Sequence, residues 1–310
     1  MKVIYGTDEG TKFIRPTGIG LGNFDGLHVG HLALINTLIT ESIFNSFDSV
    51  LYTFSSHTEN IINKKTITPL VMTNEKKIEL LNRTRLDYLY FEKFDEAFSK
   101  MKPETFVKDI LIKRLNMKLA VAGFNYRFGH KGEGDAELLR KLGNDLGFRV
   151  IIIEPIRHGD EVVSSTLIRK NILIGDMGKV FELLGRHYSI TGIVEKGRRI
   201  GNTLGFPTAN ISPEIELALP PDGVYISKTC IDGKMYPGIT NIGINPTFGG
   251  LDRRCVETHL LNFENGDIYG KKIEVFLIER IRGEKKFESA QHLVEQIKKD
   301  IETAKNYFRL

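Results

Sequence analysis

The stretch GNFDGLHVGH, residues 22–31, decides how the first half of this 310-residue chain is read. It follows directly on a short apolar run, GIGLG at 18–22, and leads directly into a helical stripe of Leu32, Ile35, Leu38 and Ile39. A strand that turns straight into a helix needs residues such as Gly22 and Gly26, where the backbone must turn tightly or approach a ligand. The same turn aims the helix N-terminus, with its partial positive charge, at whatever sits there. Phosphate is the natural occupant, and His28 and His31 add side-chain donors to the crevice. Open α/β sheets bind ligands at the carboxyl ends of their parallel strands, which is where this motif falls.

Working outward, strand-like runs recur at SVLYTF (49–54), DYLYFE (87–92), KLAVAG (118–123) and RVIIIE (149–154). Between them lie helical stripes through Ile78 and Leu81 and through Phe106, Ile110 and Leu111. This alternation, from Thr17 to about Glu154, predicts a parallel sheet with crossover helices. Two short helices are expected at 165–173 and 177–184, after which the texture changes at LLGRHY. From Ser189 to about Ile281, strand-like alternation is broken by Gly, Pro and Asn clusters, which predicts a small antiparallel barrel. The tail from 286 to 310 returns to helix, with Leu293, Ile297 and Ile301 on one face expected to pack on that barrel. The expected division is 1–184 and 185–310.

Composition narrows the class. The chain is 41% hydrophobic and 26% charged, the balance of a soluble globular protein. A net charge of +4 without runs of like charge makes small anions better guests than nucleic acid. Two cysteines, Cys230 and Cys255, are too few for a disulfide framework and fit a reducing compartment. No apolar segment of membrane-spanning length and no signal-peptide pattern is present, so a cytoplasmic protein is expected. Other phosphate motifs fail. Asn23 stands where a dinucleotide fingerprint needs its third glycine, and GDIYGKK at 266–272 is too short and ends on Lys272 in place of Ser or Thr.

With these residues in view, the first half resembles the HxGH nucleotidyltransferases, and among them the FMN adenylyltransferase module of bacterial bifunctional riboflavin kinase/FAD synthetases. SSTLIR (164–169) is similar to the family's second phosphate signature, and GFNYRFG (123–129) to its flavin-side and nucleotide-side loop. The resemblance implies a Rossmann-like α/β fold and adenylylation of FMN by ATP. It implies binding roles for Gly22, Asn23, Phe24, Asp25, Gly26, Asn125, Arg127, Ser164, Ser165 and Thr166, and catalytic roles for His28, His31 and Arg169. A phosphate monoester has a second pKa of about 6, so FMN can attack the ATP α-phosphate without a protein base. The enzyme's work is then alignment and charge neutralisation, shared with Mg²⁺. Asp135 is expected only to cap the helix that starts at Ala136. TFSSHT (53–58) keeps His57 but carries Ser55, Ser56 and Thr58 where the family has acidic and proline residues.

The second half resembles the riboflavin kinase module nearly end to end, through GNTLGFPTAN (201–210), GVY (223–225), NIGINPTF (241–248) and CVETHLLNF (255–263). That implies an all-β six-stranded barrel with a C-terminal helix, and phosphorylation of riboflavin by ATP. Glu257 matches the family's general base. Thr208 and Asn210 match its Mg²⁺ ligands, and flanking Ala209 they share one face of an extended strand. Gly197, Gly201, Gly205 and Pro207 are expected to form the nucleotide loop. Asn202 and Asn262 stand where arginine and aspartate are commoner. The partners expected are small molecules, with no nucleic acid or membrane, for a monomer or weak oligomer. Competing readings are a chain with one active module, or a flavin-binding regulator.

Overall fold

A computed structural model of the chain describes residues 1–6, 12–55, 68–195, 205–213, 217–245, 253–263 and 266–310, which form two compact units, 1–167 and 168–310. The first unit is built on a parallel six-stranded sheet of β1 (Lys2–Tyr5), β2 (Thr17–Leu21), β3 (Asp48–Phe54), β4 (Tyr88–Glu92), β5 (Met117–Gly123) and β6 (Arg149–Ile153). Its order is β1-β4-β3-β2-β5-β6. The five strands expected from β-branched runs are all present. β1 is an addition, a short edge strand paired only to β4.

All five residues of β2 are buried between β3 and β5, as a central strand covered on both faces requires. Helix α1 (Val29–Phe44) covers one face through Leu34, Ile35, Leu38 and Ile39. The chain steps from β2 to β3 on one side and later from β4 to β5 on the other, so the strand order reverses between β2 and β5. That is the switch point at which open α/β sheets bind ligands, and it lies beside the carboxyl end of β2. Helix α2 (Asn74–Leu81) follows the β3 loop. The stripe at Phe106, Ile110 and Leu111 lies in a π-helix, Phe106–Arg114, whose wider turn still buries Phe106 and Leu111. Helix α3 (Ala136–Leu146) leads to β6 and is capped by Asp135, whose carboxylate accepts from the Leu138 N–H at 2.9 Å. Beyond β6 lies a two-stranded hairpin, β7 (Arg157–His158) with β8 (Glu161–Val162).

Helix α4 (Ser165–Ile174) contains the division between the units, and α5 (Met177–Leu184) belongs to the second. The second unit is a closed antiparallel barrel of β9 (Tyr188–Glu195), β10 (Ala209–Ile211), β11 (Gly223–Ile231), β12 (Lys234–Asn245), β13 (Arg253–Leu260) and β14 (Lys272–Gly283). The order is β10-β13-β12-β11-β14-β9, closed as expected for a six-stranded barrel. Helix α6 (Ala290–Phe308) lays Ile297, Ile301 and Ala304 against Val224, Ile239 and Leu261. The barrel interior is partly polar. Thr240 donates to Ser227 at 2.7 Å and pairs with Thr258 at 2.7 Å, so these buried hydroxyls satisfy one another.

Candidate functional site

The turn between β2 and α1 carries three left-handed residues within four positions, with φ of 49° at Phe24, 89° at Gly26 and 41° at Leu27. Two of these are side-chain-bearing residues in a sparsely populated region, strain that is tolerated where surrounding structure over-determines it. The result places His28 at the N-cap of α1, where its Nδ1 accepts from the His31 backbone N–H at 3.2 Å. The two imidazoles stack with centroids 3.6 Å apart, and the edge of His31 meets Phe24 at 5.2 Å. Gly30 sits close beside them, and a Cβ there would stand 3.2 Å from the His28 ring and press on it. The first turn of α1 carries no acidic residue of its own, which leaves the positive end of the helix dipole uncompensated within the helix. Phe24 is fully buried, and its ring props His31 from inside.

Asp25 and Asn23 tie this turn to its neighbours. The buried Asp25 carboxylate accepts from Val71 N–H at 2.9 Å and Met72 N–H at 3.3 Å, and its carbonyl accepts from the Ser165 hydroxyl at 2.7 Å. The second serine of SSTLIR is thereby joined to the first motif. The Asn23 carbonyl accepts from the Thr53 hydroxyl at 2.9 Å and from the Lys77 ammonium at 3.0 Å. Lys77, a residue that inspection of the sequence passes over, is 5% exposed. Burial pushes its pKa down to about 8, with the Asp25 carboxylate acting in the opposite direction. Asn23, Asp25, Ser55, Met72 and Lys77 line a small cleft open to solvent.

The other expected residues of this half divide. Asn125 and Arg127 are exposed on the loop after β5, across the switch point from the histidines, and Arg127 reaches Asp135 at 3.5 Å. Ser164 accepts from the Leu167 N–H at 3.2 Å as a helix cap, while Thr166 is exposed. Arg169 is half-buried one turn along α4, in the second unit. Ser56, His57 and Thr58 lie outside the described residues.

On the barrel, register assembles the site. Asn210 of β10 stands opposite Glu257 of β13, which stands opposite Asn241 of β12. Directly opposed residues on antiparallel strands project to one face, so these three form a polar row. Val256 and Thr258 point inward and are buried, which puts Glu257 on the outer face. Cys255, two residues away on that face, has its sulfur 3.8 Å from the Glu257 carboxylate. The Asn210 amide lies 3.4 Å from the Thr208 hydroxyl, so the structure brings Thr208 and Asn210 together. The Pro207 carbonyl accepts from the His259 ring Nδ1 at 2.9 Å, and Gly205 takes φ of 85°. Gly197, Gly201 and Asn202 lie outside the described residues. Asn262 adopts φ of 56°, a left-handed position that asparagine tolerates well. Asn241 is a neighbour of the expected base that no sequence spacing reveals, since it meets Glu257 only through strand pairing.

Two family models match in series, FAD synthetase over residues 11–167 and riboflavin kinase over 184–308. Curated relatives described as bifunctional riboflavin kinase/FMN adenylyltransferase align over nearly the whole chain. The protein from Buchnera aphidicola subsp. Schizaphis graminum is 40% identical, with all of both chains covered. That from Bacillus subtilis is 35% identical, covering 94% of this chain and 92% of its own. The chain belongs to the bifunctional riboflavin kinase/FMN adenylyltransferase family. The Escherichia coli K12 member is 33% identical over 94% of this chain and 92% of its own. A solved Streptococcus pneumoniae structure described as a macrolide-efflux protein superposes with a TM-score of 0.89 at 30% identity, covering 99% of each chain. Efflux is a description of that protein. Among the described residues of this family member, no helix is long and apolar enough to cross a membrane.

Proposed function

We propose that the chain makes FAD from riboflavin in two ATP-dependent steps, with riboflavin kinase at 185–310 supplying FMN to an FMN adenylyltransferase at 1–184. The observation that carries this reading is that each unit presents its own group suited to its step. One has a stacked histidine pair at a helix N-terminus beside the switch point, and the other has a strand carboxylate in a polar row.

In the kinase step Glu257 takes the proton of a ribityl hydroxyl as its oxygen bonds to the γ-phosphorus of ATP and ADP leaves. Asn210 and Asn241 flank that carboxylate and hold its surroundings polar. In the adenylyl step an FMN phosphate oxygen bonds to the α-phosphorus of ATP, and the bond to pyrophosphate breaks. His28 and His31, with the α1 N-terminus, stabilise the charge that develops. Asn125 and Arg127, across the switch point, would contact flavin or nucleotide, with Gly22 and Gly26 allowing close backbone approach. Ser165 supports the turn by holding Asp25, and Arg169 would add phosphate charge neutralisation.

Thr208 and Asn210 each carry a side-chain oxygen of the type a hard cation accepts, and the contact of Asn210 Nδ2 with the Thr208 hydroxyl at 3.4 Å holds the two side chains side by side, so the pair fits Mg²⁺. Such an ion, when bound, would neutralise phosphate charge. The enzyme would act on small molecules in the cytoplasm, without nucleic acid or membrane, as a monomer or weak oligomer.

The test supplies riboflavin, ATP and Mg²⁺ to the full chain and separates flavins by chromatography. FMN is expected first, then FAD with pyrophosphate. Well-folded protein that forms neither product would reject the reading, and assays of each half-reaction show whether one module alone works.

A further inference from the structure

A lysine buried under a phosphate-binding turn calls for an explanation, because an ammonium removed from water loses several kcal/mol of solvation unless it is paired. Lys77 leaves α2 to place its Nζ 3.0 Å from the Asn23 carbonyl, within the motif turn, and 5.8 Å from the centre of the Phe91 ring. An ammonium has three donors. Among the described residues the Asn23 carbonyl is its one hydrogen-bond acceptor. The Asp25 carboxylate accepts from the backbone N–H groups of Val71 and Met72. Lys77 also lines the cleft that Asn23, Asp25, Ser55 and Asn74 border, where the Asp25 carboxylate favours the charged form of the ammonium. The cleft is thus floored by a cation whose hydrogen-bonding capacity is partly unused, at the rim of a turn whose helix already favours anions.

We propose that Lys77 is a phosphate-binding residue of the adenylyltransferase site, its ammonium receiving a phosphate oxygen of a nucleotide substrate that enters this cleft. The inference rests on the reading of the first unit as an FMN adenylyltransferase, and deepens it. Lysine suits the task as a compact point charge, and a largely dry setting strengthens its attraction for a dianion. The phosphate can come from FMN or from ATP, and kinetics separates the two.

The experiment compares the full-length wild type with Lys77→Met, Lys77→Gln and Lys77→Arg in the FMN-to-FAD half-reaction, varying FMN at saturating ATP and ATP at saturating FMN. Riboflavin phosphorylation serves as the internal control. Lys77→Met should raise the KM for one substrate by about 10- to 100-fold, as loss of one charged hydrogen bond implies. A rise for FMN identifies the flavin phosphate, and a rise for ATP the nucleotide. Lys77→Arg, which keeps the charge, should recover part of that loss, and Lys77→Gln, which keeps a donor for the Asn23 carbonyl without the charge, should not; equal recovery by both would mark a purely supporting role. If Lys77→Met fails to fold by near-ultraviolet circular dichroism, Lys77→Gln takes its place. Both KM values within twofold of wild type, or a fall in kcat with KM unchanged, would overturn the proposal while leaving the adenylyltransferase reading intact. Wild-type protein that forms no FAD would overturn both.

Discussion

Glu257 lies directly opposite Asn210 across the antiparallel pairing of β13 with β10. The carboxylate expected to take a proton therefore shares a face with the amide expected to hold a cation. Replacing Glu257 by Gln keeps the shape and removes the base. The expected result is a fall of about 10²- to 10⁴-fold in FMN formation from riboflavin. FAD formation from supplied FMN should be unchanged, since that chemistry is placed in the other unit. Equal loss of both half-reactions would show that the roles are wrongly divided.

The histidine pair gives the converse expectation. His28 both caps α1 and stacks on His31, so His28→Ala removes a donor and loosens the ring beside it. Losing one preorganised donor to a developing oxyanion lowers turnover by about 10²- to 10³-fold. FAD formation should fall by that factor and FMN formation should not change. A His28→Asn variant restores a capping side chain, so a cap-only role predicts recovery of activity and a catalytic role predicts none.

What could be read from the sequence depended on how local the signal is. The core strands declare themselves by β-branched runs, and the β2 turn by glycines followed by a 3.6-residue stripe, all within about ten residues. β1 escaped because only Ile4 of its four residues is buried, so no alternation exists to detect. Lys77 escaped for a similar reason. In NEKKIELL it looks like part of a charged face, yet α2 buries Lys77 with Leu81, one turn apart, and not a stripe centred on Ile78. The Asn210, Glu257 and Asn241 row depends on pairing between distant strands, which no local period encodes. The place of the motif at the strand-to-helix turn put both histidines in one crevice. It did not reveal that His28 would be the cap, or that the Asp25 carboxylate would be engaged by the backbone at Val71 and Met72.

A buried ion pair adds to the apolar contacts that hold the barrel's terminal helix. Asp300, 2% exposed, accepts from Arg282 Nε at 2.9 Å and Nη2 at 2.8 Å, and from Gln296 at 2.9 Å. Removing one partner of such a pair leaves an uncompensated buried charge and costs about 3–5 kcal/mol. Asp300→Ala should therefore lower the urea midpoint of the kinase unit, and riboflavin phosphorylation should fail at a lower temperature than FAD formation. Pairing Asp300→Leu with Arg282→Met should restore most of the loss, since apolar packing can replace a buried pair. No recovery in the double variant would mean that the pair does more than fill and neutralise that contact.

Lys77 makes a separate prediction about pH. Its folded-state pKa is lowered to about 8 from an ordinary value of 10.5, chiefly by burial. Between those values the unfolded chain binds more protons than the folded one, so stability rises with pH across that window. The gain is complete above the unfolded pKa and is lost as pH falls through about 8. A shift of this size corresponds to roughly 3–4 kcal/mol at about 1.4 kcal/mol per pH unit. Denaturant titrations of the wild type at pH 7.5 and pH 10, compared with Lys77→Met, isolate the contribution, because other groups titrate alike in both proteins. The variant should lack the rise, and at neutral pH it should gain stability from the removed burial cost, less the lost hydrogen bond to Asn23. Parallel pH dependence in the two proteins would mean that the ammonium is better solvated than its 5% exposure indicates.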